Sequence, residues 1–301
     1  PEQYRRFCND IVPLARMKKR MFTNDDDFQA VVDVANYSAK GLSNVDVVWR
    51  VTKEDGSLIK SGKLNVNSIP TEGLTRAGSI EHTLSSIREA TRLNLEVELV
   101  DLPYANDWDF WVFPATLPSI NTGDIHIAMG LDEQVEAKLK SGAKVLLLFP
   151  PSSVRGNTLG TFQPIFWNRI TFPRQKVHMM GILCDSKHPA MAEFPTAFHA
   201  SWQWQDLLDN CQPVIMDELP QEVKPIVRPI DDWNDCRKLG LIFEASMGKG
   251  KILICSIDID TDLKNRITAR QLRHSLLSYM LSDNFNPQAK LTFAQVKGLF
   301  K

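Results

Sequence analysis

The hydrophobic pattern changes its period part-way along the chain, and this change constrains the fold more than any other feature. Across residues 28–114, apolar and polar residues alternate, as side chains on opposite faces of a β-strand do. Val47 and Trp49, for example, are separated by a single residue that would face the other side. Clusters of Gly, Pro, Asn and Asp separate about seven such runs. The pattern predicts an immunoglobulin-like β-sandwich over residues 26–115.

Beyond the proline-containing stretch 113–124, the alternation gives way to continuous apolar runs connected by helical segments. A strand "DIHIAMG", a helix ending before Gly142 and a strand "AKVLLLFPP" predict a parallel βαβ unit. A hairpin through "MGKG" and a helix across 265–282 follow. We therefore predict an α/β domain over residues 116–285, followed by a C-terminal tail over 286–301.

Composition argues against two classes of partner. The 301 residues include 35 Lys and Arg against 36 Asp and Glu, so the formal net charge of -1 gives no overall positive field for nucleic acid. The longest apolar runs fall far short of the roughly 20 residues that cross a bilayer. Five cysteines without a CxxC pair predict free thiols instead of a disulfide framework. We expect no cofactor, no nucleic-acid partner and no membrane partner.

Motif-like stretches in the second half fail on spacing. The aspartates of "DIDTD" begin like a calcium-binding loop, but Leu263 stands where the loop needs Gly, and Ala269 stands where it needs Glu. The "GKGK" at 248–251 joins two predicted strands and lacks the spacing of a phosphate-binding loop. The cysteines and histidines are not spaced like the ligands of compact zinc sites. We therefore predict no metal site.

The stretch "HPAMAEFPTAFHASWQWQDLLDN", residues 188–210, concentrates histidine, tryptophan and glutamine. Trp202 and Trp204 are two residues apart in a segment that otherwise favours a helix, so both rings cannot lie on one helical face. We predict that one ring lies near solvent as a platform for a sugar ring, with polar neighbours bonding to its hydroxyls. The candidate saccharide-binding residues are Trp167, Asn168, His188, His199, Trp202, Gln203, Trp204 and Trp233.

Other interpretations of this half of the chain stay open on the sequence. The aromatic residues could fill the interface between sheet and helix, with His188 and His199 bonded only to backbone carbonyls. Alternatively, Cys184 follows a strand as the nucleophile of an amidotransferase-type enzyme does, with one of these histidines as the base. The flanking glycines that such a nucleophile turn needs are missing from "ILCDSKHP". A further alternative places the helix across 265–282 in the contact of a homo-oligomer.

One resemblance covers nearly the whole chain. It is carried by "FWNRITFPRQ", "MGILCDSKHPAMAEFPTAFHASWQWQDLL", "ELPQEVKPIVRPIDDWNDCRKLGLIFEASMGKGKILICSIDI" and "ARQLRHSLLSYM". These segments resemble the carboxyl-terminal region of bacterial family 2 glycoside hydrolases, especially the β-galactosidase-like ones. The opening "EQYRRFCNDIVPLARMKKRMF" and the later "WDFWVFP" are similar to the part that follows the catalytic barrel in such proteins.

The resemblance implies a modular hydrolase in which two carboxylates on a (β/α)8 barrel cleave a glycosidic bond. This chain departs from that pattern, because it has no stretch long enough for eight strand-helix units beside the sandwich. It also lacks the Asn-Glu dipeptide of the kind that carries the acid/base of the family. No catalytic residue is therefore transferred to this chain.

By the same likeness, residues 1–25 form a linker from a preceding catalytic domain. The α/β half resembles a flavodoxin-like or class I glutamine amidotransferase-like domain that has lost its nucleophile. The expected function is that of a non-catalytic accessory region, with the barrel of the parent enzyme and carbohydrate as partners. The resemblance implies a periplasmic or secreted parent protein in a bacterium. An amidotransferase-like enzyme using Cys184 and an oligomerisation module are the alternatives.

Overall fold

The chain folds into two compact units, Pro1–Thr116 and Leu117–Lys301. The structure is a computed structural model that describes residues 1–162, 171–174 and 176–301. Strands predominate over helices in the described residues, which confirms the β-rich, multidomain organisation that the sequence predicts. None of the helices that these residues form has the length and the apolar composition needed to span a membrane.

Unit 1, whose residues are all described, consists of two sheets and a short helix. Its elements are α1 (Glu2–Phe7), β1 (Ile11–Met17), β2 (Met21–Thr23), β3 (Asp27–Asn36), β4 (Leu42–Lys53), β5 (Leu58–Ile69), β6 (Gly73–Thr83), β7 (Thr91–Leu99) and β8 (Ala105–Phe113). One sheet has the strand order β1-β3-β6 and the other has the order β2-β8-β7-β4-β5. Because both sheets contribute to one core, unit 1 is a β-sandwich.

The core of unit 1 is built from the alternating apolar residues. Val47, Trp49 and Val51 on β4 are all buried, as the period of two predicts. Phe28 on β3 stacks against Phe110 on β8, with the ring centroids 4.6 Å apart. Since β3 and β8 belong to different sheets, this aromatic pair joins the two layers.

The sequence prediction of a linker over residues 1–25 is wrong. β1 pairs with β3 along its whole length, from Ile11 opposite Asn36 to Met17 opposite Ala30, and β2 runs parallel to β8. β1 tolerates its proline because it is an edge strand. Apolar side chains of "IVPLARM" and "MFT" enter the sandwich core. The segment owes its structure to pairing with distant strands, which its own short pattern does not reveal.

Unit 2 contains a mixed sheet and several helices. Its elements in the described residues are β9 (Ile125–Ala128), α2 (Glu133–Ser141), β10 (Lys144–Leu148), β11 (Ile182–Cys184), α3 (Gln205–Asp209), β12 (Val214–Ile215), β13 (Val227–Pro229), β14 (Leu239–Gly240), β15 (Ile242–Met247), β16 (Gly250–Cys255), α4 (Ile267–Leu281) and α5 (Phe293–Lys297). The main sheet has the order β11-β13-β15-β16-β10-β9, and β12 pairs with β14 separately. Separate apolar clusters cover its two faces, and α4 packs on one of them.

The predicted βαβ unit is confirmed. β9 and β10 are parallel, and α2 connects them. The Asp132 carboxylate caps α2 by accepting a hydrogen bond from the Val135 amide at 2.8 Å. Gly142 ends the helix with φ of 105°, a left-handed conformation that glycine adopts without strain. β16 continues the parallel pairing on the other side of β10.

The flavodoxin-like arrangement of unit 2 is not confirmed. β15 and β16 form the predicted hairpin and are antiparallel, and the pairs β13–β15 and β11–β13 are antiparallel as well. A flavodoxin-like sheet needs crossover connections between parallel strands, whereas the tight turn at Gly248 reverses the chain at once. In the described part of this sheet, parallel pairing is confined to β9, β10 and β16.

The sequence prediction of a separate tail over residues 286–301 is also wrong. Leu291 and Val296 are buried in the apolar cluster on the sheet face opposite α4. Phe300 packs edge to face on Phe149, with the ring centroids 3.9 Å apart. α5 is only one to two turns long, so it is too short to show a helical period in the sequence.

The contact between Gly62 and Trp49 gives a stability prediction. Gly62 lies opposite Trp49, and a Cβ atom on it would be 2.6 Å from Cε2 of the buried indole. We predict that Gly62→Ala lowers the free energy of unfolding by about 1 kcal/mol, because overpacking outweighs the gain in strand propensity. Urea unfolding measures the change. The control, Ser61→Ala on the exposed face of the same strand, should stay within about 0.5 kcal/mol of wild type. Equal effects of the two variants would contradict the contact.

Candidate functional site

The two neighbouring tryptophans of the 188–210 stretch have opposite environments. Trp204 is fully buried, and its Nε1 donates a hydrogen bond to Thr196 Oγ1 at 2.8 Å. Trp202 is 49% exposed and packs against the ring of Phe162, with the centroids 5.4 Å apart. The prediction that one of the pair lies near solvent is therefore confirmed. Trp204 is a core residue whose ring has no surface to offer a ligand.

Three other candidate residues, Gln203, His199 and Trp233, do not meet around one depression. Gln203 is buried, and its Nε2 donates to Pro195 O at 3.1 Å. His199 is exposed at the edge of the main sheet, where it pairs with Leu183 on β11. Trp233 is exposed in the loop that follows β13. These side chains are placed by separate local structures.

His188 instead belongs to a polar pocket, whereas the candidates Trp167 and Asn168 lie outside the described residues. His188 lines a cavity of about 190 Å³, which we call the His188 pocket. Segments after β11, before β13, within β15 and before α5 enclose it. Its polar lining residues are Asp185, His188, Glu222, Lys224, Glu244 and Gln288.

His188 is fixed at the start of a short 3₁₀ turn, Pro189–Met191. Its Nδ1 accepts a hydrogen bond from the Ala190 amide at 3.2 Å, and its own amide donates to Asp185 O at 3.0 Å. Burial lowers the pKa of His188, so the ring is neutral at neutral pH. Because Nδ1 is the acceptor, the proton of the neutral ring lies on Nε2, which leaves that nitrogen as a donor.

Three polar residues on one face of α4 hold this turn in place. Gln271, Ser275 and Tyr279 are four residues apart, so they form one row along the helix, which we call the polar stripe of α4. Gln271 Nε2 donates to Glu193 O, and Ser275 Oγ donates to Ala190 O, both at 2.7 Å. The Tyr279 ring meets the imidazole edge to face, with the centroids 5.3 Å apart. The polar stripe therefore positions the histidine from three successive helical turns.

Glu244 reaches the pocket from the sheet. Its Oε2 accepts a hydrogen bond from the Tyr279 hydroxyl at 2.8 Å. Burial raises the pKa of Glu244, although the Tyr279 bond and the Lys251 charge act in the opposite direction. Burial and the bond to Glu244 also raise the pKa of Tyr279, which keeps the phenol protonated as the donor. The carboxyl group of Glu244 therefore holds its proton to a higher pH than an exposed glutamate does.

The arrangement is suited to binding a polyhydroxylated molecule. Asp185 and Glu222 provide acceptor oxygens, Lys224 provides an ammonium donor, and Gln288 provides both a donor and an acceptor. The neutral imidazole adds a further donor on Nε2. A sugar ring presents hydroxyls that both donate and accept, so it can satisfy such a mixed set, whereas an apolar ligand would leave these groups without partners.

Cys184 does not have the environment of a nucleophile. Its side chain lies in the apolar cluster between the main sheet and α4, and the residue is only 5% exposed. Burial raises its pKa to about 12, with a smaller contribution from the Asp185 charge. At neutral pH the residue is therefore a buried thiol, whereas nucleophilic catalysis requires a thiolate.

The sequence interpretation missed most of the residues that shape the pocket, although it identified His188. Glu244 is the only charged residue of the stretch "LIFEASM", and this isolated charge is the signal that could have identified it. Gln271, Ser275 and Tyr279 were hidden in a helix predicted only from its apolar residues. Their spacing of four is the signal that indicates a second, polar face buried against another segment.

Family models match both units of the chain. The model described as "Domain of unknown function (DUF8487)" matches residues 126–301, which is more than half of the chain. The chain belongs to this family. A second model, "Domain of unknown function (DUF8488)", matches residues 26–114, which lie in the sandwich. The DUF8487 match includes every lining residue of the His188 pocket. No curated protein matches the chain.

Solved structures that resemble the chain do so weakly. The alkylpurine DNA glycosylase AlkC of Pseudomonas fluorescens is 10% identical with a TM-score of 0.29, over 35% of this chain and 30% of that one. A CARDB domain from Pyrococcus furiosus is 16% identical with a TM-score of 0.27, over 35% and 94%. A family 2 β-glucuronidase is 10% identical with a TM-score of 0.25, over 34% and 11%. This chain thus spans less than a third of the glycosylase, and likenesses at these scores carry no functional argument.

The raised pKa of Glu244 gives a prediction for stability against pH. In the folded state Glu244 keeps a proton that the unfolded chain has released, so its contribution to stability falls as the pH rises through its folded pKa. Glu244→Gln keeps an acceptor for the Tyr279 hydroxyl but cannot ionise. We predict that this variant gains unfolding free energy relative to wild type as the pH rises from the pKa of an exposed glutamate, about 4, through the higher folded pKa of Glu244.

Urea unfolding of the full chain at several pH values measures this difference. The matched control is Glu218→Gln, at an exposed carboxylate outside the His188 pocket. If the difference between Glu244→Gln and wild type is as independent of pH as that of the control, Glu244 does not titrate as described.

Proposed function

We propose that this DUF8487 chain is a non-catalytic accessory region of a family 2 glycoside hydrolase of the β-galactosidase-like kind, and that its His188 pocket binds saccharide. One observation carries the proposal: the two longest segments that resemble such hydrolases also supply most of the pocket. Asp185 and His188 come from the first segment, and Glu222, Lys224 and Glu244 come from the second.

The architecture supports the same interpretation. The order of β8, β7, β4 and β5 in one sheet, facing β3 and β6 in the other, is consistent with an immunoglobulin-like sandwich. The parallel β9–α2–β10 unit with β16 is consistent with a reduced amidotransferase-like scaffold in unit 2. The buried Cys184 thiol agrees with a scaffold that has no nucleophile.

In this proposal the chemistry belongs to a catalytic barrel elsewhere in the parent protein, and the chain supports it by holding saccharide. The partners are that barrel and carbohydrate, in a secreted or periplasmic bacterial enzyme. The pocket needs no reacting group for this role, because hydrogen bonds from its polar side chains are sufficient for weak sugar binding.

Isothermal titration calorimetry with methyl β-galactopyranoside tests the proposal. We expect wild type to bind with a dissociation constant in the millimolar range, about -4 kcal/mol. His188→Ala should weaken binding about fivefold to tenfold, because it removes the Nε2 donor and loosens the turn. The matched control is His199→Ala, an exposed histidine that does not line the pocket; it should bind like wild type.

Two results would contradict the proposal. Equal losses of affinity in the two histidine variants would show that the sugar does not bind in the His188 pocket. Release of nitrophenol from an aryl β-galactoside by the purified chain, at an enzymatic rate that His188→Ala does not change, would show catalysis that the pocket does not explain.

A further inference from the structure

The charges of the His188 pocket are unbalanced. Three carboxyl groups line it, those of Asp185, Glu222 and Glu244, against the single ammonium group of Lys224. Burial keeps the imidazole of His188 neutral, so this ring adds no positive charge. The lining therefore contains two carboxylates and one ammonium group even when Glu244 holds its proton.

Lys251 is a second cation close to Glu244, but it does not line the pocket. In the part of the chain that the structure describes, neither Asp185 nor Glu222 forms an ion pair. Lys251, whose charge acts on Glu244, directs its Nζ to Phe285 O at 2.9 Å. The hydroxyl of Tyr279 stabilises one oxygen of Glu244 without adding charge. Among the lining residues, a ligand therefore meets more carboxyl groups than cations.

A ligand with its own carboxylate would meet these carboxyl groups directly. Like charges repel one another at short distance, and because Asp185 and Glu222 are exposed, water and salt screen part of this repulsion. A neutral sugar meets no such penalty, and an amino sugar gains attraction. The charge of a sugar should therefore change its affinity for the pocket more than the small structural differences between neutral hexoses do.

Building on the proposed saccharide-binding role, we propose that the His188 pocket selects neutral and amino sugars and excludes uronic acids. Glu222 is an exposed carboxylate that lines the pocket, and its charge supplies part of the discrimination. Replacement by glutamine removes the charge and keeps an oxygen acceptor, so the ratio of the affinities for a neutral and an anionic sugar reports the effect of the charge.

Calorimetric titration of the full chain at neutral pH with three galacto-configured methyl β-glycosides tests this inference. They are the galactopyranoside, the 2-amino-2-deoxygalactopyranoside and the galacturonide, which differ mainly in charge. We expect the amino sugar to bind at least as tightly as the neutral sugar. The galacturonide should bind at least about tenfold more weakly at low salt, and added salt should narrow this gap.

Variants assign the effect to the pocket. Glu222→Gln should narrow the gap between galactopyranoside and galacturonide by about threefold or more, since one repelling charge is gone. Glu218→Gln changes the same charge on the same chain segment, but outside the pocket, and should leave the gap as in wild type.

The outcomes separate this inference from the proposed function. Binding of the galacturonide as tight as that of the galactopyranoside, or an equal effect of the two glutamate variants, overturns the charge selection and leaves saccharide binding intact. Failure of all three glycosides to bind overturns both the proposed function and the charge selection.

Discussion

The packing of α4 against the turn that begins at His188 is the interaction on which the candidate site depends. The polar stripe of α4 satisfies backbone carbonyls of this turn and a carboxyl group of the sheet from three successive helical turns. Buried polar groups are costly unless they are paired, so such a set of bonds favours a single arrangement of helix, turn and sheet. Burial within this packing lowers the pKa of His188, and the bond from the Ala190 amide to Nδ1 sets the direction of the imidazole. Structure and binding chemistry are thus determined by the same contacts.

The electrostatic character of the pocket follows from where its charged groups come from. Glu244 is the only charged residue of its strand, and burial there raises the pKa of its carboxyl group. Asp185 and Glu222 lie on exposed segments at the ends of neighbouring strands, where water stabilises their charge. The pocket consequently combines a partly dehydrated inner acid with charged groups near solvent. An arrangement of this kind suits recognition of hydroxyls and disfavours anionic ligands.

The sequence was sufficient for features with a repeating local pattern. The alternation in β4 predicted which of its residues are buried, and the apolar spacing in α4 predicted the helix. It was insufficient for structure created by distant pairing, such as β1 against β3, or by helices as short as α5. In the site, His188 could be singled out by composition, whereas Glu244 and Tyr279 meet only because strand and helix pack together. Trp204 shows the converse case, since an aromatic residue in a promising motif serves the core.

We expect saccharide to bind in the His188 pocket and not on the exposed aromatic residues of unit 2. Two-dimensional ¹H–¹⁵N correlation NMR of the chain, titrated with methyl β-galactopyranoside, distinguishes the two locations. Binding in the pocket predicts amide shifts that cluster in segments 185–190, 222–226 and 287–289. Shifts confined to the surroundings of Trp202 and Trp233, with none in those three segments, would contradict it.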